Sequence, residues 1–104
     1  AITAFNQVNF SDDVISPMAL AGMADCYSDL GDYAHAAEYY NKAAKESDDG
    51  LAAKVLAPTY HYKEALTHLE LGNISKAKSI LSHIEENHPN SKMYTKAVAL
   101  RASL

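Results

Sequence analysis

Residues 16–43, SPMALAGMADCYSDLGDYAHAAEYYNKA, carry the signals that decide the fold. Ser16 and Pro17 indicate a helix start, because a serine hydroxyl caps free backbone amides and proline suits the first helical position, which needs no donor. Gly31 favours the left-handed conformation that ends a helix, and Asp32 is a good N-cap for the next one. The stretch therefore predicts two helices folded back on each other. The apolar stripe predicted on the first helix is Leu20, Met23, Ala24, Tyr27 and Leu30.

The pattern returns later in the chain, where 71–73 (Leu-Gly-Asn) aligns with 30–32 (Leu-Gly-Asp). This register places Ala65 on Ala24, and it also places Ala77 on Ala36. Small residues recur where two helices would cross closely, so the second stretch predicts a second helix pair. Asn73 is expected to cap the second helix of that pair, as Asp32 does in the first.

The spacing of both stretches resembles the tetratricopeptide repeat, whose pattern is W-x2-L-G-x2-Y followed by A-x3-F and a proline. The residues in those places are Leu20, Met23, Ala24, Tyr27, Ala36, Tyr40 and Asp48 in the first copy, and His61, Glu64, Ala65, His68, Ala77, Leu81 and Pro89 in the second. The resemblance implies an all-α, right-handed solenoid of antiparallel helix pairs with about five main helices. It also implies a non-catalytic scaffold that binds a protein or peptide. More narrowly, the run 16–90 resembles the repeat domain of bacterial, Bacteroidetes-type membrane-anchored proteins, which would place a soluble domain beside a membrane, tethered by an upstream segment.

Residues 1–104 are predicted to form a single domain of repeats. Its predicted parts are 1–13 as the second helix of a truncated repeat, 16–48 and 57–89 as repeats, and 91–104 as a terminal helix. Residues 51–56 suit a short helical turn, after which Pro58 would lie in the first turn of a separate long helix. Because the chain starts in mid-repeat, it is expected to be a fragment.

Composition excludes several classes of function. The net charge of −4 argues against nucleic acid, which calls for a basic stripe. Residues 1–52 balance at −7 and residues 53–104 at +3, so the chain is polar end to end. Nothing approaches the roughly 18 consecutive apolar residues of a membrane span, and no membrane contact is expected from this fragment. Cys26 is the single cysteine of the sequence and is expected to be a small core residue.

One set of residues could carry chemistry: His61, Glu64 and His68 share a helix face. Their order is not the H-E-x-x-H of zinc proteases, so a metal site or enzyme there is a remote alternative to polar packing between helices. His83 and His88 are spaced too far apart for joint ligation along one helix. The sequence contains no phosphate loop or nucleophile motif, and no enzyme, cofactor or metal is predicted.

A partner-binding groove is the main functional hypothesis. Tyr62, Leu66 and Leu69 would face the concave side, where either the next helix covers them or they form a peptide-binding patch. The residues predicted for the groove are Met18, Asp25, Asp29, Tyr62, Lys63, Leu66, Leu69 and Glu70. The partner would be a protein or peptide segment with an apolar anchor and a basic residue.

The alternative function is structural, as a spacer or a self-association element that pairs through its solenoid ends. At one end Phe5 and Phe10 would lack a covering helix, and at the other Met93 and Leu100 would lack one.

Overall fold

The structure is a computed structural model that describes residues 16–47 and 51–104, with side chains described from Lys54 onward in the second range. The predicted helix at 1–13, with Phe5 and Phe10, lies outside the described residues. The described helices are α1 (Pro17–Asp29), α2 (Tyr33–Glu46), α3 (Leu51–Glu70), α4 (Ile74–Asn87) and α5 (Lys92–Ser103). No strand occurs in these ranges, so the predicted all-α fold is confirmed.

Side chains cap several of the helices as the sequence predicts. The Ser16 hydroxyl accepts from the Ala19 N–H at 3.1 Å, and an Asp32 carboxylate oxygen accepts from the His35 N–H at 3.3 Å. Asn73 occupies the N-cap position of α4 as predicted, but its side chain makes no capping hydrogen bond to that helix. Its amide nitrogen instead lies 3.5 Å from His68 Nδ1, so a neighbouring side chain competes for it.

Two glycines make the sharp turns between paired helices. Gly31 and Gly72 have φ values of +80° and +79°, in the region that side chains with a Cβ rarely adopt. At the first turn the Asp32 N–H donates to the Tyr27 carbonyl at 2.8 Å, and at the second the Asn73 N–H donates to His68 in the same way. This hydrogen bonding is the Schellman arrangement, which satisfies the last carbonyls of a helix.

Helix α3 runs without interruption from Leu51 to Glu70, which corrects the prediction of a short turn followed by a new helix at Pro58. A proline inside a helix removes one hydrogen bond and costs about 3 kcal/mol. That cost is offset here by burial, because the Pro58 side chain is fully buried and Ala57 and Tyr60 beside it are buried too. Tertiary packing therefore overrides the local stop signal.

The helices pack as antiparallel neighbours, with α2 between α1 and α3, and α4 between α3 and α5. The apolar residues divide into two groups along this stack. The first core consists of buried Leu20, Ala21, Ala24, Ala36, Tyr40, Ala43, Ala44 and Tyr60. The second core consists of buried Ala65, Ala77, Ile80, Leu81, Ile84 and Ala97. Helix α3 contributes to both cores, so it holds the two helix pairs together.

Residues at the edges of this stack show where the sequence patterns stop predicting burial. Leu30 is 73% exposed, although its spacing predicted a core position, because it lies at the end of α1 where the chain turns away from the first core. Met93 and Leu100 are half-buried and pack against the second core. Within the described residues, no helix combines the length and apolarity needed to cross a membrane.

Candidate partner-binding groove

A cleft of about 340 Å³ opens between the C-terminal ends of α1 and α3 and the start of α2. We call it the α1–α3 cleft. Its lining residues are Ser28, Tyr33, Leu66, Thr67, Leu69 and Glu70. The ends of α1 and α3 lie at the same edge of the stack because the Gly31 turn folds α2 back on α1 and α3 packs against α2.

The apolar part of the cleft comes mainly from α3. Leu66 is 41% exposed, while Leu69 is half-buried because it also packs against the second core. Tyr62 packs against that core as well. The three residues predicted as one patch therefore separate: α4 and α5 partly cover Tyr62 and Leu69, and Leu66 stays open to the cleft.

Two of the charged residues predicted for the groove, Asp25 and Lys63, neutralise each other. Lys63 Nζ lies 3.7 Å from Asp25 Oδ1, which joins α3 to α1. The Tyr40 hydroxyl donates to the same Asp25 oxygen, and Lys63 Nζ stands 5.8 Å from the centre of the Tyr40 ring. Burial and the Asp25 carboxylate together raise the pKa of Tyr40 far above its ordinary value. Asp25 and Lys63 thus form a closed network beside the cleft.

The remaining predicted residues lie around this network. Glu70 is exposed and lines the cleft, and Asp29 is exposed one residue after Ser28. Met18 is 72% exposed in the first turn of α1, at the other end of that helix. The structure therefore places Leu66, Leu69 and Glu70 in one cleft and does not bring Met18 to it.

Tyr33 and Thr67 line the cleft although no sequence pattern assigned them to it. Tyr33 is the first residue of α2, and its position just after the Gly31 turn carries it to the edge of α1. Thr67 follows Leu66, and its hydroxyl donates to the Lys63 carbonyl at 2.8 Å. Proximity to a tight turn was the available signal for Tyr33.

A second group of polar side chains lies between the two cores. We call it the Glu64 cluster, and it consists of Asn41, His61, Glu64 and His68. The Glu64 carboxylate is 3% exposed and accepts from Asn41 Nδ2 at 3.2 Å. His61 Nδ1 and His68 Nε2 each lie 3.7 Å from one of its oxygens. His61, Glu64 and His68 occupy places where the repeat pattern has apolar side chains, so hydrogen bonding with Asn41 replaces apolar packing at this contact of α2 with α3.

The far side of His61 faces two more histidines. Ring centres of His61 and His83 are 4.8 Å apart, and those of His61 and His88 are 6.4 Å apart. The Nε2 atom of His61 is buried and has no hydrogen-bond partner. Over the described ranges, no group of three His, Cys, Asp or Glu side chains has an arrangement that could hold a metal ion.

Comparison with protein families gives two adjacent matches. Two family models, both described as tetratricopeptide repeat, match residues 17–49 and 60–91, which together are more than half of the chain. Comparison with curated proteins and with solved structures gave no match. Repeats of this kind generally mediate protein–protein interactions and are typically non-catalytic. The matches coincide with the helix pairs α1–α2 and α3–α4, and the chain belongs to the tetratricopeptide repeat family.

Proposed function

We propose that this domain is a non-catalytic scaffold module that holds a protein or peptide segment in the α1–α3 cleft. The single observation that carries the proposal is Leu66, a large apolar side chain left 41% exposed inside a concave surface. Exposed apolar side chains in a concavity bind well because a partner removes them from water at little further cost. The neighbouring Glu70 and Ser28 supply polar groups that orient a partner.

The rest of the site supports a rigid receptor. The Asp25 carboxylate ties α1 to α2 through Tyr40 and to α3 through Lys63. The hydrogen bond from the buried Tyr40 side chain is the firmer of these two contacts, since the pair with Lys63 is half exposed. A cleft wall that is in place before a partner arrives lowers the entropy lost on binding.

The test is selection of peptides from a displayed library of random dodecamers on the immobilised domain. Peptides selected on the natural sequence should bind Leu66→Ala more weakly, by roughly 1 to 3 kcal/mol. Leu71→Ala is the matched control, since Leu71 is a leucine of 40% exposure that lines a different surface depression, between α2, α3 and α4. Selected peptides whose affinity is unchanged by Leu66→Ala would refute this site.

Self-association is the second candidate, because apolar side chains are also exposed at the helix turns. Leu30, Leu71 and Ile74 are 73%, 40% and 49% exposed. Sedimentation velocity over a hundredfold range of concentration separates the two functions. If the chain forms a dimer and Leu30→Asp dissociates it, the result favours the structural role. A monomer at every concentration favours the peptide-binding role.

A further inference from the structure

We infer that the α1–α3 cleft is selective for an arginine side chain of its partner. This inference rests on the proposed function, since it names the chemistry of what that cleft would hold. The lining of the cleft contains an acid and no lysine or arginine, so it does not suit an acidic segment.

Two acids give the cleft and its edge a negative charge. Glu70 is exposed at the cleft and enters no ion pair within the described part of the chain. Asp29 is likewise exposed, next to the lining residue Ser28, and it too is in no ion pair among those residues. The nearby cation, Lys63, is held by Asp25. A partner therefore meets a net negative cleft and gains most by bringing a positive charge.

The walls determine which cation fits. Leu66 and Leu69 offer apolar surface to a long aliphatic stem, and Tyr33 adds to the same lining an aromatic ring, the kind of group on which a planar guanidinium can stack. The cleft volume of about 340 Å³ lies within the range for ligand sites, so it has room for an arginine side chain. An alkyl stem that ends in a flat cation matches these walls.

The polar lining favours arginine over lysine. The Thr67 hydroxyl donates to the Lys63 carbonyl and the residue is only 5% exposed, so the acceptors of the cleft come from its other polar residues. These acceptors are the Ser28 hydroxyl and the two oxygens of the Glu70 carboxylate. A guanidinium presents five N–H donors in a fixed fork, whereas an ammonium is a compact point charge, so several separate acceptors suit arginine better.

The experiment uses the peptides selected on the full chain from the random dodecamer library. Arginine should be enriched beside an apolar residue in those peptides that lose affinity for Leu66→Ala. Replacing that arginine by citrulline, which has nearly the same shape without the charge, should weaken binding measured by fluorescence polarisation by about tenfold. When binding to the Glu70→Gln protein is measured, replacing the arginine of the peptide by citrulline should weaken it by only about twofold. Glu86→Gln, which removes an exposed acid from α4, is the matched control and should keep the full tenfold effect.

Each other result is informative. Peptides that depend on Leu66 but show no enrichment of arginine would overturn the arginine assignment and leave the proposed function intact. Equal enrichment of lysine would also overturn it. If citrulline weakens binding to Glu70→Gln as much as it weakens binding to the natural sequence, the arginine does not contact Glu70. That result would also overturn the assignment. Peptides that do not depend on Leu66 would remove the proposed function together with this inference.

Discussion

Lys63 on α3 and Asp25 on α1 form an ion pair beside the α1–α3 cleft, with 3.7 Å between Nζ and Oδ1. Both side chains are about half exposed, at 43% and 52%, so water screens the pair and it contributes little to stability. Its larger effect is on recognition. It removes one acid and one base from the groove and leaves Glu70 as the charge that lines the cleft.

Tyr40→Phe should lower the free energy of unfolding by about 1 kcal/mol, because it removes a hydrogen bond to the Asp25 carboxylate from a side chain that is 5% exposed. Urea denaturation at pH 7 measures the change. Tyr94→Phe is the control, since Tyr94 is 37% exposed and should be nearly neutral to substitution. Equal effects of the two variants would contradict the prediction.

The same tyrosine predicts a loss of stability in alkali. The pKa of Tyr40 is raised in the folded state, so the stabilisation is complete below the ordinary tyrosine value and is lost as pH rises above about 10. Tyr40→Phe should make the stability less dependent on pH between about 9 and 11. Burial also raises the pKa of Tyr60, so part of the dependence should remain in the variant. An unchanged profile would show that Tyr40 is not the linked group.

The contact of α4 with α5 predicts a change in acid. Arg101 donates to Glu85 through Nε and, at 3.0 Å, through Nη2, and these hydrogen bonds hold the pKa of Glu85 below its usual value. Such a group stabilises the fold above the ordinary glutamate pKa, and this stabilisation is lost as pH falls through the lowered value. Arg101→Gln should therefore flatten the dependence of the melting temperature on pH between 7 and 3. Lys96→Gln on the same helix should leave the dependence unchanged.

Asn41→Ala should destabilise the domain by roughly 1 to 3 kcal/mol, because the buried Glu64 carboxylate would lose the amide that donates to both of its oxygens. Thermal and urea unfolding measure the loss. Asn90→Ala removes an exposed asparagine and should change stability by less than about 0.5 kcal/mol. If Asn41→Ala were as mild as that control, the Glu64 cluster would be solvated rather than held by protein groups.

Gly31→Ala should cost about 1 kcal/mol through backbone strain alone. The φ of +80° disfavours any residue with a Cβ, and no atom lies within 4 Å of where that Cβ would stand. Gly31→Asn should cost less, because asparagine tolerates the left-handed region better than alanine does. Equal stability of all three proteins would mean that the turn adopts another conformation in solution.

In the second repeat, His61, Glu64 and His68 occupy positions that are apolar in the repeat pattern. They show how far such a pattern predicts burial. Their departure from apolar residues indicated polar packing between helices, and Glu64 at 3% exposure with an Asn41 donor has that environment. The donor itself was not predictable, because Asn41 lies on another helix and its side chain direction depends on how α2 packs on α3.

Part of the lining of the α1–α3 cleft could be foreseen from the sequence. Leu66 was assigned to a concave face from its spacing and Glu70 as a polar neighbour, and both line the cleft. The ion pair between Asp25 and Lys63 was not foreseen, because the two residues are far apart in sequence and meet only when α1 and α3 stack.

The sequence by itself determined what depends on neighbours along the chain. Ser16 and Asp32 cap helices, and Gly31 and Gly72 turn the chain, because capping and left-handed backbone geometry act within a few residues. Only the tertiary structure decided the unbroken course of α3 through Pro58 and the partition of Tyr62 from Leu66. The physical reason is that burial between stacked helices exceeds a local helix-breaking preference, and helical spacing alone does not show which side a neighbouring helix covers.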